Sequence, residues 1–111
     1  MQRNHSDYTS LSRLGQNITN DSQAALTENN QYTLSPQFQD TQKEWGLALE
    51  DSNSSGKYVI IIANDLRNRN MNSKIDDIQK YTEYRDSMNA HVNKTATLLQ
   101  TAYGTTTQTT Q

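Results

Sequence analysis

Apolar side chains return along this chain at alternating steps of three and four residues. Tyr8, Leu11, Gly15, Ile18, Ser22 and Ala25 form the first such row, with Leu14 and Leu26 beside it. A 3.5-residue repeat is the pattern of helices packed nearly parallel or antiparallel. Asn29-Asn30-Gln31-Tyr32-Thr33 interrupts it. The row is thin, because Gly15 and Ser22 bury almost nothing.

A second helix has a clear start. Ser35 suits an N-cap, and Pro36 at the first helical position has no amide to leave unsatisfied. Phe38, Trp45, Leu49, Ser52, Gly56, Val59, Ile62 and Leu66 then keep one phase. The polar run at residues 51–56 has poor helix propensity and reads locally as a loop. A loop of arbitrary length would shift the phase of the row, and the phase is unchanged. One long helix is therefore expected, kinked at most at Gly56. Tyr58-Val59-Ile60-Ile61-Ile62 is almost wholly β-branched and is the chain's strongest strand signal. A lone strand has no ladder partner beyond the short Gln31–Leu34 stretch, so the helical reading prevails.

The third row begins after a short turn at Asn70-Met71-Asn72. Ser73 with Asp76 resembles a capping box, placing Asp76 and Asp77 in a first turn whose dipole favours acids. Ile75, Ile78, Thr82, Arg85, Met88, Val92, Thr95, Leu99 and Ala102 then hold the period, widened by Tyr81, Tyr84, Leu98 and Tyr103. Gly104 is expected to end the helix.

These elements predict an all-α fold: an elongated, antiparallel up-down bundle of three long helices, or four if residues 51–56 form a true break. The bundle spans residues 1–104, and residues 105–111 form a disordered Thr/Gln tail or linker. Around Tyr58–Leu66 the second helix is apolar nearly all round, and such a helix needs cover all round. A homo-oligomer or protein-partner interface is expected there, with Tyr58, Ile60 and Ile61 as its residues. The other explanation is that this helix is the centre of a four-helix arrangement.

Composition narrows the chemistry. Asn, Gln, Ser and Thr make up 47 of 111 residues, and there is no cysteine. Disulfides and Cys-based metal sites are thereby excluded. Ten basic residues against twelve acidic ones are interspersed, so no basic patch marks a nucleic-acid partner. The longest apolar run, Tyr58 to Ala63, has six residues, far below the roughly 20 needed to span a bilayer. Any membrane link is expected only through segments outside this chain. Asn-x-Ser/Thr occurs five times, at Asn4, Asn17, Asn20, Asn53 and Asn93. With the missing cysteines and the Thr/Gln tail, this points to an extracytoplasmic segment. With Met1 as the native start and no apolar leader behind it, the chain would instead be cytoplasmic.

Candidate chemistry is sparse. His5 lies near a terminus, and His91 reads as a boundary residue beside Val92. No phosphate-cradling glycine loop, zinc-protease helix, nucleophile elbow or calcium loop is present. Asp76, Asp77, Glu83 and Asp86 read as dipole acids and a solvated face. No enzyme activity, metal or cofactor is expected. Arg85 occupies a row position where an apolar residue belongs, so it either pairs, reaches solvent or binds an anion, with Tyr81 and Tyr84 lining the site. Trp45-Gly46 lacks the spacing of Trp-x-Gly helical hairpins, and Pro36 starts a helix instead of sitting in a hairpin loop as in secretion-needle subunits. Neither family is assigned. The expected function is a non-enzymatic interaction or structural module, an extracytoplasmic part of a prokaryotic surface protein. The alternative is a ligand-sensing extracytoplasmic domain of a membrane receptor, of chemoreceptor or sensor-kinase type.

Overall fold

A computed structural model describes the backbone of residues 2–110 and the side chains of residues 7–104. The side chains of His5 and of the Thr/Gln tail lie outside those described. The fold is all-α, with α1 at Gln2–Gln31, α2 at Pro36–Asn68 and α3 at Met71–Thr110. α2 packs on both neighbours, while among the described residues α1 and α3 do not pack on each other. The three helices thus form an open antiparallel layer with α2 in the middle. Its extents are 64 × 23 × 19 Å. The long dimension follows from the 40 residues of α3 at about 1.5 Å each.

α2 runs unbroken through residues 51–56. The low propensity of that stretch is overridden by close packing on α1. The Ser22 and Ser52 hydroxyls meet at 2.7 Å, and Ser55 Oγ donates to the Ser52 carbonyl at 2.8 Å. Gly15 and Gly56 let the two backbones approach: a Cβ on Gly15 would stand 2.8 Å from the Gly56 carbonyl oxygen. The small residues that bury little area are those that permit this approach.

The first connection comes slightly later than expected, since Asn29-Asn30-Gln31 form the last turn of α1. Side-chain amides close it. Gln42 Nε2 donates to the Asn29 and Tyr32 carbonyls at 2.7 Å each, and Asn29 Nδ2 donates to the Gln42 carbonyl at 3.2 Å. These bonds occupy carbonyls that the end of a helix leaves free. Ser35 holds the cap position in an extended conformation (φ −57°, ψ 151°) without a side-chain cap bond, as expected of a residue preceding proline.

The second connection corrects two expectations. Arg69 adopts the left-handed conformation (φ 56°, ψ 36°). Its N–H donates to the Leu66 carbonyl at 3.2 Å, and the Asn70 N–H donates to the Asp65 carbonyl at 2.9 Å. This is a Schellman stop made without glycine. Asn70, not Ser73, caps α3: its Oδ1 accepts the Ser73 N–H at 3.3 Å. Asp76 and Asp77 consequently lie beyond the first turn. At the far end α3 passes through Gly104, whose φ is not positive, to Thr110.

The inner face of α3 also differs from the expected row. The residues sheltered against α2 include Asp77, Tyr81, Tyr84, Met88, His91, Thr95, Leu98 and Ala102. Ile75, Ile78, Val92 and Leu99 are exposed. The inner row meets α2 through the Tyr84–Tyr58 ring stack and through bonds from Ser87 and His91 to Asp51 and Glu44. The buried apolar core is small and sits mostly on the central helix: Ala48, Leu49, Val59, Ile62 and Ala63, joined by Ala102.

Candidate functional site

The residues singled out for an interface are largely used within the chain. Tyr58 stacks on Tyr84 of α3, with ring centroids 5.7 Å apart and planes 25° off parallel. Ile60 lies on the other side, over Gly15 of α1. Ile61 remains 39% exposed. The all-round apolar character of α2 here is answered by a helix on each side.

Arg85 does not occupy a seam. Its side chain is exposed, 3.3 Å from Asp86 Oδ1, with its guanidinium carbon 6.0 Å from the Tyr81 ring centroid. Tyr84 is turned to Tyr58 instead, so Arg85, Tyr81 and Tyr84 do not converge on one hollow. The outward position explains a charged residue in that row: it is not buried.

The densest polar cluster lies one to two turns further along and centres on His91. Its Nδ1 is 2.7 Å from Glu44 Oε2, and its Nε2 is 3.8 Å from Asp51 Oδ2. Lys94 Nζ approaches Glu44 Oε1 at 3.3 Å, and Ser87 Oγ donates to Asp51 Oδ2 at 2.6 Å. Glu44 is only 9% exposed. Its carboxyl is nonetheless held below the usual 4.5, first by the His91 hydrogen bond and then by Lys94, against the opposing effect of burial. An ionised Glu44 at that distance requires a proton on His91 Nδ1. Glu44 and Asp51 are seven residues apart on α2, and Ser87, His91 and Lys94 follow at four and three on α3. Matching charge periods on adjacent helices were the available signal, but apolar positions alone set the expected rows.

This cluster is satisfied internally. Ser87 spends its hydrogen on Asp51 and not on His91, so no nucleophile is paired with a base as group transfer requires. Among the described residues, no group of three or more His, Asp or Glu side chains is disposed to hold a metal ion.

Asp65 on α2 and Asp77 on α3 form a second polar pair. The Asp65 carboxyl is pushed up to about 6 by its hydrogen bond with Asp77, then by burial and by the Asp77 charge. A proton held between the two carboxyls supplies the donor that neither carboxylate has when both are ionised.

The hollows are open. One of about 390 Å³ lies between α1 and α2, flanked by Arg13, Arg67 and Tyr8. Arg67 is already bonded to Asn64 Oδ1 at 2.6 Å. No known protein family, curated protein or solved structure matches this chain.

Proposed function

We propose that this chain is a non-enzymatic helical module that acts by presenting surface to another protein, as an extracytoplasmic part of a prokaryotic surface protein. One observation carries the reading. The polar cluster around His91 is bonded within itself, while apolar side chains stay exposed along the outer side of α3. Chemistry needs the reverse, with reactive groups free in a hollow and apolar surface covered. The five Asn-x-Ser/Thr sites and the absence of cysteine support the extracytoplasmic placement. Among the described residues no helix is long and apolar enough to cross a membrane.

The receptor-sensor reading asks for an even number of helices, so that both ends of the domain lie on one side. The unbroken α2 gives this chain three. The test is thermal unfolding with millimolar amino acids, dicarboxylates, sugars and inorganic phosphate, the last aimed at the arginine-flanked hollow. The module predicts an unchanged melting temperature. A ligand at 100 times its Kd adds about 2.7 kcal/mol, or on the order of 10 °C for a domain this size. A saturable rise of that kind would overturn the module in favour of a sensor. For the placement, protease added to intact source cells should cleave the protein, and protection until lysis would overturn it.

A further inference from the structure

Trp45-Gly46, which fits no hairpin motif, sits beside the α1–α2 connection. Trp45 is 40% exposed, and Tyr32, within the connection, is 58% exposed. Single exposed aromatics are ordinary on a protein surface, but these two border one hollow. It measures about 300 Å³, and its other walls are Ala25, Glu28 and Asn29 of α1. Ala25 is only a methyl group and leaves the indole uncovered.

Three features of these walls attract positive charge. Glu28 supplies a carboxylate, and among the described residues no lysine or arginine lines the hollow. The last turn of α1 carries no basic residue, so its own chain leaves the negative end of the helix dipole unanswered. The faces of the indole and phenol rings draw cations, tryptophan most strongly. Lys43, the basic residue nearest Trp45 in sequence, lines the neighbouring hollow with Glu50; two residues apart on a helix, the two side chains do not face each other. The walls are also set before anything binds. Gln42 Nε2 donates to the Asn29 and Tyr32 carbonyls at 2.7 Å each, and Asn29 Nδ2 donates back to the Gln42 carbonyl at 3.2 Å. Gly46 makes room for that amide, since a Cβ there would stand 3.2 Å from Asn29 Nδ2. A preformed site spares the cost of ordering it on binding.

We propose that the hollow between Trp45, Tyr32 and Glu28 is a binding site for an organic cation, the head of a quaternary or protonated amine or of a guanidinium. A neutral apolar group gains nothing from Glu28, and an anion is repelled by it. A basic side chain of a partner protein and a free amine share this chemistry. The site itself does not depend on the module reading; the choice of a partner's lysine or arginine over a free amine rests on it.

Trp45 is the chain's only tryptophan, so its fluorescence reads this hollow directly. The full chain is titrated at fixed ionic strength with choline chloride, with the neutral alcohol in which a tert-butyl group replaces the trimethylammonium, and with pentalysine. The two cations should change Trp45 emission saturably, and the alcohol, equal in shape but uncharged, should bind about tenfold more weakly or not at all. Tyr32→Phe keeps a ring and should keep binding. Tyr32→Leu and Glu28→Gln should each weaken it severalfold with an unchanged far-ultraviolet helix signal, both side chains being exposed. If a variant loses that signal, choline against its neutral counterpart on the unmodified chain still decides. Equal responses to choline and the alcohol would reduce the hollow to an apolar contact and overturn the site. So would the absence of a saturable change with either cation up to about 100 mM, a range that covers millimolar affinity. Pentalysine binding more tightly than choline assigns the cation to a basic partner; the reverse assigns it to a free amine and overturns only that choice of source. A rise in melting temperature with the small ligands named above would end the module reading and leave a measured cation site standing. An unresponsive Trp45 would do the opposite.

Discussion

Asp65 lies about one turn before the α2–α3 connection and Asp77 about two turns after it, and their proton has a thermodynamic consequence. The folded-state value of about 6 for Asp65 lies above its ordinary 3.8. Between those values the folded chain binds more protons than the unfolded chain, so stability falls as pH rises through the window. Glu44 has the opposite sign. Its lowered value contributes stability that is present above 4.5 and lost as pH falls below it. Asp65→Asn keeps a donor toward Asp77 at every pH. The variant should therefore be more stable than the parent at pH 8, with the gap shrinking at pH 5. Urea midpoints at the two pH values measure this, and parallel midpoints in variant and parent would refute it. Neither pair was legible in the sequence. Asp77 read as a helix-dipole acid and His91 as a boundary residue. Both readings considered one helix at a time, whereas these side chains owe their roles to a carboxylate on the neighbouring helix.

At the scale of elements, the α1–α2 pair depends on what its seam lacks. A Cβ on Gly15 would stand 2.7 Å from Ile60 Cγ1 and 2.8 Å from the Gly56 carbonyl oxygen. The backbone oxygen has no rotamer by which to yield. Gly15→Ala should therefore lose the roughly 1–3 kcal/mol typical of overpacking, more than the ~1 kcal/mol alanine gains in a helix interior. Gly104 has nothing within 4 Å of such a Cβ and sits in a helix. Gly104→Ala should accordingly be neutral or stabilising, by up to about 0.5–1 kcal/mol. Chemical denaturation of both variants separates a packing role from a propensity effect; equal shifts would contradict the close approach. Here the sequence was readable. Gly15, Ser22, Ser52 and Gly56 stood on their rows by period, and the preserved phase joined the halves of α2 across a stretch that propensity would have broken. Helix ends were less legible. Arg69 stops α2 in a conformation usually given to glycine, and Asn70 takes the cap from Ser73, because the carbonyls of Asp65 and Leu66 bond the turn into place.

For the whole molecule, the open layer makes stability uneven. Only α2 is packed on two sides, and it holds most of the buried core. Amide exchange by mass spectrometry should be slowest in α2 between Ala48 and Ala63, with α1 and the ends of α3 opening first. Equal protection of α1 and α2 would show that the helices unfold as one unit. A bundle closed into a triangle would bury a stripe on every helix, but here α1 and α3 do not meet, and one row of α3 stays outside.

The sequence by itself determined the all-α class and the antiparallel up-down order; it left three helices or four open at residues 51–56, and the structure decided for three. Class and order follow from local periodicity and from connections too short to allow anything else. Tertiary structure decided which of two equally periodic rows on α3 would face α2. Periodicity ranks both rows alike. Tyr84 meets the Tyr58 ring, and His91 meets Glu44 and Asp51; a polar group enters a seam where a partner on another helix receives it.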